Sequence, residues 1–212
     1  MKTYQVKIKT ETDTMLGSGQ SLPGAIDSDI RYDENGIPYM NAKTMKGYLG
    51  EQMRWIYSLY PEKFAEVSLS ELLGSPDTEG IKRNGKLRFS AVQLSAGIAD
   101  RLKKAVKEKT VTKEEILDSM TVIFSYTSLD EEGIAKDHTL RRIRMIRGGM
   151  TFESNIYVDE ISPLEEELLA YALCSLQHIG MEKSKGKGVV RCDIFENGES
   201  LRDRYLKGGS GL

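Results

Sequence analysis

The sequence is short of most features that announce a particular chemistry. It has two cysteines in 212 residues, Cys174 and Cys192, with no CxxC pair and no Cys/His spacing suited to zinc. One lies in an apolar helical pattern and the other in an apolar strand pattern, so both are expected to be buried thiols of a reducing compartment. Excess positive charge is also missing: 30 Lys and Arg stand against 32 Asp and Glu, a net charge of −2. No global field draws in a polyanion, so any nucleic-acid site has to arise from local clustering. No apolar run approaches the ~20 residues of a membrane span, and residues 1–12 alternate where a signal peptide would carry an apolar core. A cytoplasmic protein without a membrane partner is expected, and 39% hydrophobic residues suffice for a core.

What is present is local. Residues 180–191, GMEKSKGKGVVR, combine glycines with Lys183, Lys185, Lys187 and Arg191 after an amphipathic helix and before an apolar strand. Gly186 and Gly188 let backbone approach a ligand closely, and the cations supply charge beside it, which suits phosphates. A solvated turn whose lysines serve solubility is the alternative reading.

In chain order, Tyr4, Val6 and Ile8 alternate with polar residues, the period of a half-buried strand. Residues 12–24 are polar and glycine-rich and read as a loop. Asp33-Glu34-Asn35-Gly36 between two apolar pairs predicts a short hairpin. Asn41 is placed to cap a helix carrying Met45, Leu49, Met53, Ile56 and Leu59 up to Pro61. Lys43 and Lys46 fall in its first turn and a half, where cations oppose the helix dipole and a bound anion would relieve the mismatch. Residues 69–80 read as a short helix or turn and an acidic loop, 86–94 as one strand, 96–108 and 113–120 as helices, 121–125 as a strand and 128–137 as a loop.

Arg141, Arg142, Arg144 and Arg147 then interleave with Leu140, Ile143, Met145 and Ile146. A strand there would project some of the arginines together, as a polyanion contact or as a charged edge that blocks aggregation. Ser162-Pro163-Leu164-Glu165 carries a capping box with proline at the first helical position, and the apolar face that follows runs to Ile179, with Gly180 as its left-handed cap. Val189, Val190 and Ile194 begin the last strand, and residues 197–212 trail off polar, with 208–212 as a flexible tail. The order fits an α+β chain with a ferredoxin-like (RRM-like) β-α-β-β-α-β core and inserted helical and hairpin elements. It makes one domain over residues 1–207 with an insertion at about 61–120.

Ile26-Asp27-Ser28, then Gly36-Ile37-Pro38-Tyr39, then Lys43-Thr44-Met45-Lys46-Gly47, and finally the glycine loop after a leucine-rich helix resemble the RAMP superfamily of CRISPR effector proteins. The closest look is to backbone subunits of type III complexes, and LRRIRMIRGGMTFESNI is similar to a strand pair of that family. Departures are the Asn41-Ala42-Lys43-Thr44 run and lysine in the glycine loop where arginine is commoner; a lysine keeps the point charge and loses bidentate geometry. The resemblance implies a subunit that binds CRISPR RNA, positions target RNA, and assembles with other RAMP subunits and copies of itself. It assigns RNA contacts to Lys43, Lys46, Arg141, Arg142, Arg144, Lys183, Lys185, Gly186, Lys187 and Gly188. In catalytic members an aspartate of the first loop is needed for cutting target RNA with a divalent metal, Mg2+ or Mn2+. Asp27 is the matching residue and expected metal ligand, with Asp29 assisting from two positions on.

Three readings stay open on the sequence. The chain is a target-cutting endoribonuclease through Asp27, an RNA-binding subunit of the same architecture without cleavage, or a metal-independent CRISPR RNA-processing enzyme. The last needs a histidine as general acid or base, for which His138 beside Asp137 is the candidate.

Overall fold

The computed structural model describes residues 1–18, 21, 25–74, 84–128, 130–134, 136 and 139–207. The acidic stretch at 75–80, His138 with Asp137, and residues 208–212 lie outside the described residues.

Strand β1 (Lys2–Thr10) buries Tyr4, Val6, Ile8 and Thr10 and turns the residues between them outward, as its sequence alternation requires. The hairpin at Asn35-Gly36 forms: Asp33 Oδ1 accepts the N–H groups of Asn35 and Ile37, and Tyr32 pairs with Pro38. Helix α1 (Ala42–Leu59) buries Met45, Leu49, Met53 and Ile56 on one face and stops short of Pro61. Asn41 occupies the N-cap position with extended backbone, but its side chain makes no capping hydrogen bond, contrary to expectation.

After the short α2 (Leu69–Leu73), the single strand expected over 86–94 is split into β2 (Arg88–Phe89) and β3 (Gln93–Leu94). Both pair with one later strand, yet residues 90, 91 and 92 oppose only residues 155 and 154. That excess residue is a bulge, held where Ser90 Oγ accepts the Asn155 N–H at 2.8 Å. These strands fall inside the stretch read as an insertion and nonetheless edge the main sheet.

Helices α3 (Ala96–Lys107) and α4 (Lys113–Met120) follow, the second started by a capping box of Thr112 and Glu115. Then come β4 (Thr121–Tyr126), β5 (Arg141–Ile146), β6 (Thr151–Val158) and α5 (Pro163–Ser175), whose predicted Ser162/Glu165 capping box is present. A 3-10 turn (Lys183–Lys185), β7 (Val190–Glu196), β8 (Glu199–Ser200) and a helical turn (Asp203–Lys207) complete the chain.

The architecture is mixed α+β with antiparallel sheets. The large sheet runs β2-β6-β1-β7-β8, with β3 also on β6, and β4 and β5 form a separate two-stranded sheet. One face of the large sheet contributes Tyr4, Val6, Ile8, Phe152, Ile156, Val158, Val190, Cys192 and Ile194 to the core, joined by the apolar faces of α1 and α5. Burial pushes the Cys192 thiol up to about 12, so it stays protonated and inert. Cys174, half-buried, is also pushed up by burial.

Residues 199–207 pack back on the body instead of trailing off. Their anchor is Glu166, 5% exposed, which accepts the Tyr4 and Tyr205 hydroxyls and pairs with Lys2 and Arg204, both at 3.1 Å. Burial pushes this carboxyl up, but hydrogen bonds from Tyr205, Tyr4 and Lys2 outweigh it and hold it at about 2. A carboxylate shared by β1, α5 and the C-terminal turn has no local sequence signature, because its partners are far apart in the chain.

Candidate functional site

Helix α5 ends at Ser175, four residues before the expected end, because residues 177–179 turn extended and pair with 188–190. His178 bridges Val189, Ile179 N–H donates to Gly188 O at 2.9 Å, and Val190 N–H donates to Gln177 O at 2.8 Å. The glycine loop is therefore the tip of a hairpin. Gly180 keeps the left-handed backbone (φ +84°) without capping the helix; a Cβ there would meet Met15 O at 2.3 Å. At Gly188 (φ +76°) a Cβ would meet Ile179 O at 2.1 Å. Both positions demand glycine for close backbone approach. The hairpin is fixed further by Met181 N–H on Met15 O, Gly188 N–H on Asp13 O, and Gly180 N–H on the Tyr48 hydroxyl at 2.7 Å.

The lysines of this loop lie on aromatic rings. Lys183 Nζ is 5.4 Å from the Tyr48 ring centre, Lys185 Nζ 4.2 Å from Tyr126, and Lys187 Nζ 3.9 Å from Phe124. Phe124 and Tyr126 alternate on β4 with their rings stacked, 6.3 Å apart at 26°. Lys187 is also paired with Asp13 Oδ2 at 3.0 Å, and Lys185 with Glu182. Lys183 has no carboxylate partner among the described residues, and Gly186 is exposed at the tip with open space around its Cα.

The four clustered arginines divide. Strand pairing sets Arg141 opposite Tyr126 and Arg142 opposite Ser125, so the two point to opposite faces of the hairpin, both exposed. Arg147 is exposed beyond the strand and borders a shallow cleft with Asp13, Gly148, Lys185 and Lys187. Arg144 is buried. Its Nε lies 3.2 Å from Asp29 Oδ1, off the hydrogen-bond direction, and its Nη1 reaches Asp118 Oδ1 at 3.3 Å and Thr121 Oγ1 at 3.1 Å.

Residues 26–30 run along the free edge of β5. Asp27 N–H donates to Arg142 O at 2.9 Å, Asp27 Oδ2 accepts Arg142 N–H at 2.7 Å, and Arg144 N–H donates to Ser28 O at 3.1 Å. Asp27 is exposed and Asp29 is 4% exposed, its Oδ1 also accepting Ile30 N–H at 2.8 Å. The two aspartates thus do not share a solvent-facing side: one faces out, the other is held in the buried pair with Arg144. The segment, β5 and β4 succeed one another as neighbouring strands, so Asp27 and the rings beneath Lys185 and Lys187 are about two strand spacings apart, roughly 10 Å.

Lys43 and Lys46 lie elsewhere, lining a cleft with Asn84, Arg88 and Phe89. Neither has a carboxylate partner among the described residues, so both charges are open to a ligand. Residues important to the site yet not singled out by sequence reasoning are Tyr48, Phe124, Tyr126 and Asp13. The alternation of Val122, Phe124 and Tyr126 was a usable signal for an aromatic strand face; the pairing of Asp13 with Lys187 had none.

A cage for a divalent ion needs several oxygen ligands. Among the described residues no group of three or more His, Cys, Asp or Glu side chains comes together, and Asp27 offers a single carboxylate. The described residues do not form a metal site by themselves.

A family model described as the RAMP superfamily matches residues 7–191. No curated protein matches the sequence. Among solved structures, a chain of type III-B Cmr-beta bound to cognate target RNA is similar, with TM-score 0.66 and 13% identity over 90% of this chain and 96% of that one. A chain of type III-B Cmr-beta in the apo state gives TM-score 0.65 and 13% identity, covering 95% and 98%. At such identity the likeness is one of fold.

Proposed function

Because the chain belongs to the RAMP superfamily, we propose that it is a subunit of a type III CRISPR effector complex, binding CRISPR RNA and positioning paired target RNA for cleavage at Asp27. The observation that carries this reading is that the glycine loop and the Asp27 segment are docked on one small hairpin, β4–β5, which ties a phosphate-binding element to a carboxylate. In this reading Lys183, Lys185, Gly186 and Lys187 hold backbone phosphates, the buried Gly188 shapes the loop through its N–H on Asp13 O, Arg141 and Arg142 extend the basic surface, and Lys43 and Lys46 make a second contact. Arg144, buried beside Asp29, ties the Asp27 segment to β5 from inside. The core is ferredoxin-like: β1, α1, β2 with β3, β6, α5 and β7 follow in chain order, and the sheet order β2-β6-β1-β7 supports it. Partners are CRISPR RNA, target RNA, other RAMP subunits and copies of this chain, in the cytoplasm.

The chemistry needs a polar group beside a ribose. The 2′-hydroxyl oxygen attacks the adjacent phosphorus as its proton passes to the Asp27 carboxylate; the bond to the 5′-oxygen breaks and that oxygen takes a proton from water, leaving a 2′,3′-cyclic phosphate and a 5′-hydroxyl. A Mg2+ or Mn2+ ion bound there would draw its other ligands from RNA phosphates and water and would stabilise developing charge.

A second reading has its own observation. Asp27 Oδ2 already accepts the Arg142 N–H, the behaviour of a residue that fastens a loop, so the subunit could hold RNA without cutting it. Assembled complexes carrying Asp27→Asn separate the two: the amide oxygen still accepts the Arg142 N–H, while the charge is gone. Target cutting lost with RNA binding kept supports catalysis; cutting kept in full assigns Asp27 to loop fastening.

A further inference from the structure

Trp55 is the sole tryptophan of the chain and is 52% exposed on α1. It borders a cleft between α1 and the segment leaving α5, with Tyr48, Gln52, Gln177, His178 and Lys183. We propose that this cleft takes an unstacked nucleobase of single-stranded RNA, stacked on Trp55, with the neighbouring phosphate on Lys183. The proposal rests on the reading of the glycine loop as an RNA-backbone contact and adds a base-reading site beside it.

Four observations carry it. Tyr48 stands seven residues before Trp55, two turns along the same helix face, so the two rings line one strip. Tyr48 is held in place by its hydroxyl, which accepts the Gly180 N–H at 2.7 Å, and by burial of part of its ring against the core. Lys183, the loop lysine without a carboxylate partner, lies 5.4 Å over that ring and so belongs to both the loop and the cleft. The walls are amide and imidazole: Gln52 Oε1 accepts the Ser175 hydroxyl at 3.4 Å, its NH2 group has no acceptor among the described residues, and Gln177 and His178 are exposed.

The lining selects the class of ligand. An aliphatic helix seeks a groove of branched apolar side chains, whereas this cleft pairs aromatic faces with side chains able to read the edge of a planar polar ring. Glu51 also borders it, which disfavours a phosphate deep inside and leaves that place to a base edge. Bases in a duplex are already stacked and paired, so the nucleotide taken here is an unpaired one. Stacking of this kind is tolerant of sequence and stronger for purines than for pyrimidines.

The single tryptophan makes the test direct. The intact protein is titrated with hexaadenylate, hexauridylate and an abasic ribose-phosphate hexamer while Trp55 fluorescence is followed. Quenching by hexaadenylate, weaker quenching by hexauridylate and none by the abasic chain are expected. Trp55→Leu should bind hexaadenylate roughly 5- to 100-fold more weakly, and Trp55→Phe much less so, with melting temperatures like the parent because the side chain is exposed. Unchanged affinity in Trp55→Leu overturns the proposal, as does fluorescence that responds to an added protein subunit and not to RNA. The glycine-loop reading fails separately: it is lost if the double variant Lys185→Ala, Lys187→Ala, which leaves Lys183 of the cleft in place, binds RNA like the parent.

Discussion

The carboxylate of Asp27 accepts the backbone N–H of Arg142 at 2.7 Å, and the Asp27 N–H donates back to the Arg142 carbonyl at 2.9 Å. This reciprocal pair turns a loop aspartate into an added strand residue on β5. One carboxylate oxygen is thereby fixed in direction, and the position of the other follows from it without any further contact.

In an assembled complex, Asp27→Asn is expected to slow target cutting by at least about 100-fold, the usual contribution of a positioned acid–base group. RNA affinity should stay within about two-fold of the parent. Adding EDTA to the parent complex should stop cutting in the same way while leaving RNA bound, as read by gel shift and product formation on one sample.

Replacing Lys183 and Lys185 by alanine should weaken binding for every guide sequence tested. On a single strand the slope of log K against log salt should fall by about 0.7 for each phosphate contact removed, measured by anisotropy across a salt series. Lys187→Ala should also lower stability, because that side chain joins Asp13 to the Phe124 ring.

Asp29 and Arg144 are 4% and 8% exposed and sit in ion-pair contact. Removing Asp29 leaves the buried Arg144 facing only the exposed Asp118 as a carboxylate among the described residues, so Asp29→Ala should destabilise the protein by about 3 kcal/mol in urea unfolding. The double change Asp29→Leu, Arg144→Met should recover part of that loss, since no charge is left stranded.

Glu166 sets an acid limit on stability. Its folded value of about 2 lies below the ordinary 4.5, so its contribution is fully present above pH 4.5 and disappears as pH falls from there through 2. Urea midpoints measured between pH 6 and pH 2 should drop over that window. The Glu166→Gln protein, less stable at pH 6, should show a flatter profile.

The elements that sequence made visible are those whose cause is local. The Asn35-Gly36 turn, the Met45 to Ile56 face of α1 and the Ser162/Glu165 capping box each need only neighbours within a few residues. What escaped depends on contacts across the chain. The 86–94 strand breaks because it gains a residue against β6, and α5 stops early because residues 177–179 find a ladder partner in 188–190. The C-terminal turn looked like a polar tail, since Glu166, Tyr4 and Lys2 are invisible from Arg204 and Tyr205. At the candidate site, the glycine loop and Asp27 were legible as separate segments. Their docking on one hairpin, and the burial of Asp29 and Arg144 away from solvent, were not, because alternation assigns a face but does not say what covers it.

The two rings of β4 bear on the thermodynamics of recognition. A free lysine loses much of its rotamer freedom when it grips an anion. Lys187, held between Asp13 and the Phe124 ring, has already given up much of that freedom on folding, and Lys185 over Tyr126 has given up a part of it. To that extent the entropy of ordering those charges belongs to the stability of the protein and not to the affinity for its ligand.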